Sequence, residues 1–212
     1  MNLQEARELG DRISRLVADS RIEDACGLLF PVLAERTPFR LLGAIGERTG
    51  NEPLVTNNVF LDQVATQRTM GGWVVIASAL GVQLTRDLPG AFERCREYVI
   101  NADVWYATDT FGERVPGPAL VANLEPSLIL LAPWREDPNH WIRRMVGVAV
   151  HSWAKHAHGA TRYQPQASVL LDFLAPMYTE GNVDAIKGVG WGLKTLGKYY
   201  PDLVADWLVQ QE

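Results

Sequence analysis

The chain has 212 residues, 47% hydrophobic and 21% charged, enough apolar content for one sizeable core and too much for a disordered chain. Its net charge of −5 and pI near 5.4 argue mildly against nucleic acid as a partner, although an acidic protein can still carry a local basic groove. Apolar runs shorter than the roughly 20 residues of a membrane span, a polar acidic start without a leader core, and two distant cysteines exclude a membrane anchor, a signal peptide and a disulfide or zinc framework, so a cytoplasmic protein with reduced core cysteines is expected.

Apolar residues recur at helical spacing along nearly the whole chain, and no run alternates with the period of two that marks a strand. The spacing predicts helices over 3–18, 22–35, 38–48, 53–67, 70–84, 89–101, 103–114, 119–132, 139–156, 166–178, 183–199 and 201–211. Breakers such as TGNEP, DLPG, VPGP, REDPN and YYPD fall between them. Short helices with turn-length connections pair into units of about 40 residues, the length of HEAT-type repeats. The expected fold is all-α: a single domain over 1–212, a HEAT-like repeat α-solenoid of about six helix pairs with a concave groove. In the first half, GAIGERTG has glycines but neither the GK[ST] ending nor the preceding strand of a phosphate loop. No residue there stands out as functional.

In the helix over 103–114, Trp105, Asp109 and Gly112 share one stripe, while Ala107 and Phe111 face roughly the other way. Pro116 then stops the helix. Over 139–156, Ile142, Val146, Ala149, Val150 and Trp153 form the expected buried face. Arg144, His151 and Lys155 line up opposite, with His140 near the start and Arg143 about a quarter turn away. Over 183–199 the core face is Ala185, Val189, Leu193, Leu196 and Tyr200. Trp191 stands outside it, in line with Lys187, Lys194 and Lys198, three of the chain's four lysines. Gly188, Gly190 and Gly192 flank that tryptophan, each at up to about 1 kcal/mol against alanine, and would let another surface approach closely.

Each stripe alone reads equally as a solvated charged face beside a partly buried tryptophan. On a shared concave surface they would instead place one carboxylate between Trp105 and Trp191, among Arg144, His151, Lys155, Lys187, Lys194 and Lys198. Such a surface attracts an anionic polymer and offers flat walls on which a base or sugar can stack.

These segments resemble the AlkD-like DNA alkylation repair family of HEAT-like glycosylases. WYATD at 105–109 is similar to the family's Trp-Asp-x-x-Asp, WIRR at 141–144 to its W-x-R-R helix, and KGVGWGLKTLGK at 187–198 to its K-A-I-G-W-x-L-R-x-x-G-K helix. The resemblance covers roughly residues 95–205. It implies Asp109 as the catalytic aspartate, Trp105 and Trp191 as aromatic walls of the cleft, and Arg144 as the cleft arginine. Tyr106 stands where the family has an acid. The implied activity is excision of purines alkylated at N3 or N7 from double-stranded DNA, by a monomer without metal or cofactor and with no membrane partner.

One acid suffices chemically for that reaction. Glycoside hydrolysis usually takes two carboxyl groups, one of which protonates the leaving group. A purine alkylated at N3 or N7 is already cationic and leaves without a proton donor, so a single carboxylate can stabilise the oxocarbenium-like sugar and orient water. Glu113, the next acid on the helix, lies off the stripe and reads as a surface residue. His151, His156 and His158 lack the i, i+4 spacing of a helical metal pair, Ser152 lacks an evident base, and Trp73, Trp134, Trp153 and Trp207 read as core or turn residues. The competing reading is a non-enzymatic HEAT-like scaffold for nucleic acid or protein, which the acidic total and Tyr106 favour.

Overall fold

The structure, a computed structural model, describes residues 1–211. Helices run in the order α1 (Leu3–Ala18), α2 (Ile22–Ala34), α3 (Phe39–Thr49), α4 (Leu54–Thr66), α5 (Met70–Gln83), α6 (Leu88–Ala102) and α7 (Trp105–Arg114). They continue as α8 (Pro116–Ala122), α9 (Leu124–Leu131), α10 (His140–Ala157), α11 (Gln164–Leu174), α12 (Val183–Tyr199) and α13 (Pro201–Val209). Short 3-10 turns follow α9, precede α11 and follow it, and no strand occurs among the described residues. The fold is all-helical.

Several helix starts are fixed by side-chain caps. Asn2 and Glu5 form a reciprocal capping box on α1, and the Thr69 hydroxyl accepts from Gly72 N on α5. Asn139 accepts from Trp141 N on α10, and Asn182 accepts from Asp184 N and Ala185 N on α12. Each such cap is worth about 1 kcal/mol, so the two helices that carry most of the candidate site have well-defined first turns. The sequence reading fails at 119–132. Pro116 opens a new helix as well as closing the last one, because proline suits the first helical position, where its missing N–H needs no partner. Asn123 then leaves helical geometry at φ −146°, ψ 74° and divides the segment into α8 and α9. The expected helix over 166–178 likewise ends at Leu174, and Pro176 lies in the 3-10 turn beyond.

The chain forms two compact units, Met1–Tyr98 and the residues from Val99 onward. In the first, α3 packs against both α1 and α5, and α2 against α1 and α4. Ile13, Leu29, Ile45, Phe60 and Trp73 are closed to solvent there, each worth roughly 1.5–3 kcal/mol of transfer free energy. Cys26 and Cys95 are buried and not joined in a disulfide, and burial pushes the Cys26 thiol up to about 11, which makes it a poor nucleophile. No helix among the described residues is long and apolar enough to cross a membrane.

In the second unit α10 is the central element, packed against α12, α7 and α8. Trp134, Trp153 and Trp207 are core residues of this unit, as Trp73 is of the first. The α10–α12 approach is made at glycines: a Cβ on Gly147 would fall on the backbone of Gly188, and one on Gly188 would fall on the Arg144 carbonyl. The surface that Gly188 and Gly192 admit is therefore α10 itself, and only Gly190 of the three faces open space. This intimate packing brings the polar side chains of α10 within reach of α12.

Candidate active site

The site begins at an anchored turn. Asp103 adopts left-handed geometry at φ 49°, which short polar residues tolerate, and its carboxylate accepts from Trp141 Nε1 at 2.8 Å. That bond ties the entry of α7 to the first turn of α10. Val104 is extended, and α7 starts at Trp105, whose indole is 56% exposed with Tyr106 edge-on at 5.9 Å. At the far end of the same stripe Gly112 is buried, and a Cβ there would lie 2.7 Å from Val148 Cγ1. The stripe thus runs from solvent into the packed interior, and Asp109 sits between, its side chain 15% exposed.

Arg144 fixes the orientation of that carboxylate. Its Nε donates to Asp109 Oδ1 at 2.7 Å and a terminal nitrogen donates to Oδ2 at 2.8 Å, a two-pronged bond that sets the carboxylate plane. The other terminal nitrogen donates to the Asp184 carbonyl in the first turn of α12 at 3.1 Å. Arg144 therefore joins α7, α10 and α12, and it reaches Asp184 past Gly188, where any Cβ would crowd its stem. Arg143 turns away to Glu180 and the Asp137 carbonyl.

A second polar layer lies about two turns further along α10. His151 Nδ1 is 2.7 Å from Thr195 Oγ1, His151 Nε2 is 3.7 Å from Glu113 Oε1, and Lys155 Nζ is 3.7 Å from the same oxygen. The Trp191 ring stacks on the His151 ring, with centroids 3.8 Å apart and planes at 25°. Trp191 is half-buried for that reason. The close approach of His151 holds the Glu113 carboxyl below the ordinary carboxylate range, against the opposing effect of burial and with help from Lys155 and Arg114.

Three sequence expectations need correction. The basic line on α10 is not a solvated face: Arg144 and His151 are buried, and only Lys155 of the three is exposed. One-sided periodicity assumes one core face, whereas α10 is enclosed by several helices and satisfies its polar residues internally. Glu113 is not a free surface residue but the shared partner of His151 and Lys155. Gly112 lies in the seam between α7 and α10 instead of on an open stripe. On α12 the expected faces hold in the main: Ala185, Val189, Leu196 and Tyr200 are buried and Lys187, Lys194 and Lys198 are exposed, but Leu193 is only half-buried and Thr195 is buried beside the core face. Lys187 pairs with Asp184 at 3.3 Å, and Lys198 lies over the Tyr199 ring at 5.0 Å.

Glu113, Thr195 and Trp141 carry parts of this arrangement that the sequence reading did not assign. The signal for Glu113 was present, since it follows Asp109 by four residues as His151 follows Arg144 by seven, so both pairs fall on one α7–α10 seam.

A family model described as DNA alkylation repair enzyme matches residues 74–212, including every residue of this site. No curated protein and no solved structure matches the chain.

Proposed function

The chain belongs to the DNA alkylation repair enzyme family, and from that membership we propose that it is a DNA glycosylase hydrolysing the N-glycosidic bond of purines alkylated at N3 or N7 in duplex DNA. The observation that carries this reading is the Asp109 carboxylate, held at the edge of the packed interior by the Arg144 fork, one turn from the exposed indole of Trp105. A carboxylate has about four lone-pair positions, and Arg144 takes one on each oxygen. The remaining two are free for water and for the positive charge that grows at the sugar as the bond breaks.

In this mechanism the cationic base departs with the bonding electron pair and becomes a neutral alkylpurine. Asp109 stabilises the oxocarbenium-like sugar and takes the proton of the attacking water. Because its plane is fixed by Arg144, little reorganisation accompanies the reaction, the condition under which electrostatic stabilisation is strongest. Trp105 and Trp191 supply the aromatic walls, whose negative ring faces suit a cationic base. Lys155, Lys187, Lys194 and Lys198 meet the backbone phosphates. We read the helix succession as a HEAT-like array whose concave side takes the duplex, and the protein as working as a monomer without metal or cofactor.

The test is incubation of the protein with methylated duplex DNA at several salt concentrations. The expected result is free methylpurine in solution and an abasic site in the strand. DNA affinity should fall linearly in log–log form with salt, by a slope of about −0.9 per neutralised phosphate. Salt-dependent binding without base release would favour the scaffold reading, and neither binding nor release would remove DNA as the partner.

A further inference from the structure

His151 is only 5% exposed, closed to a DNA phosphate, and no sequence reading explains what a buried histidine does there. The hydrogen bonds around it assign its protons. Thr195 Oγ1 lies 2.8 Å from the Trp191 carbonyl and donates its single hydroxyl proton to it. With that proton committed, Thr195 can only accept from His151, so Nδ1 carries a proton and is anchored to α12 at 2.7 Å. Nε2 makes no hydrogen bond among the described residues and faces Glu113 Oε1 at 3.7 Å, a carboxylate that Lys155 also approaches. Anchored at one nitrogen and walled at the other, the imidazole is not free to turn about its Cβ–Cγ bond. Its face carries the Trp191 indole. The same residue whose carbonyl holds Thr195 is thus the one whose ring lies on His151, a closed circuit of two contacts within one turn of α12.

We infer that His151 is a positioning residue for Trp191: the imidazole, anchored by Thr195 and walled by Glu113, is the platform that sets the plane of the indole. Its catalytic consequence rests on the glycosylase reading above, in which Trp191 is a wall against the alkylated nucleotide. The platform itself rests on geometry alone. A core histidine without this role could be replaced with no change in the state of Trp191, and that difference is measurable.

The test uses the whole protein carrying His151→Ala, His151→Phe or Thr195→Val, each compared with a version that also carries Trp191→Phe. The difference spectrum then isolates Trp191 emission among the seven tryptophans. His151→Ala removes the platform, and the Trp191 emission is expected to shift to the red and become more accessible to acrylamide. Thr195→Val loosens the anchor and gives a smaller shift in the same direction, and His151→Phe, which keeps a flat ring in place but cannot bond Thr195, gives a shift of the same small size as Thr195→Val. In single-turnover release of N7-methylated guanine, His151→Ala lowers the maximal rate about tenfold through misplacement of the wall, with DNA affinity unchanged, and His151→Phe, which restores the ring but not its anchor, recovers most of the rate. Thr195→Val is nearly isosteric and carries the test if the alanine variant does not fold. An unchanged Trp191 spectrum in the folded variants overturns the inference. So does a loss of DNA affinity equal to the loss of rate, which would make His151 a contact residue. If the wild-type protein releases no base, the glycosylase reading fails, and the emission shifts still decide whether His151 positions Trp191.

Discussion

Asp109→Asn is expected to lower the single-turnover rate of alkylpurine release by about 100-fold or more, the loss typical when a preorganised group facing developing charge is removed. Asparagine has nearly the same shape, so the change isolates charge. It keeps one acceptor oxygen for Arg144 but turns an N–H₂ toward the other prong, so one of the two bonds at 2.7 and 2.8 Å is lost. DNA affinity should hold or rise slightly, because the substitution removes a negative charge from a surface that receives phosphates. The measurement is a pair of titrations at one salt concentration, one of binding and one of rate at saturating protein. An equal loss in both would make Asp109 a structural residue of the binding surface.

Arg144→Ala should act on the fold as well as on the rate. Arg144 and Asp109 are 9% and 15% exposed at their side chains, and Arg144 also holds the Asp184 carbonyl. Removing one partner of a buried pair costs about 3–5 kcal/mol, and the partial solvation of Asp109 places this case nearer 2–3 kcal/mol. For a chain of this size that lowers the unfolding midpoint by roughly 5–10 °C in a thermal melt. Arg144→Lys restores a charge but not the planar fork, so it should recover part of the stability and little of the rate. A lysine variant with full activity would show that the fixed carboxylate plane is unimportant.

Much of this was legible in the sequence because it depends on local chemistry. The helix starts near 70, 139 and 183 follow from spacing and breakers, and the structure adds the caps that set them, Thr69, Asn139 and Asn182, each bonded within one turn. The i, i+4 relation of Trp105 to Asp109 is a property of any helix, and the exposed lysines of α12 follow from its single buried face. What stayed hidden depends on neighbours. Whether Arg144 faces water or Asp109 is decided by the packing of α7 and α12 against α10, which no period within α10 records. Gly188 and Gly192 pointed correctly to a close approach, but only the fold reveals that the approaching surface is Gly147 and Arg144. Glu113 looked like a surface acid because its partner His151 lies 38 residues further along the chain. The Asn123 break is a matter of backbone angles, and Pro116, read as a stop, gave no sign that it also opens a helix that ends within seven residues.

The most direct test of a single-carboxylate mechanism is dependence on the charge of the leaving base. Two duplexes of identical sequence, one with N7-methylated guanine and the other with neutral hypoxanthine at the same position, are incubated with excess protein, and free base is quantified over time. A site with Asp109 and no proton donor should accelerate release of the cationic base and leave the neutral one at its spontaneous rate. Comparable release of hypoxanthine would contradict this, because a neutral purine needs a general acid that Asp109 paired with Arg144 does not supply.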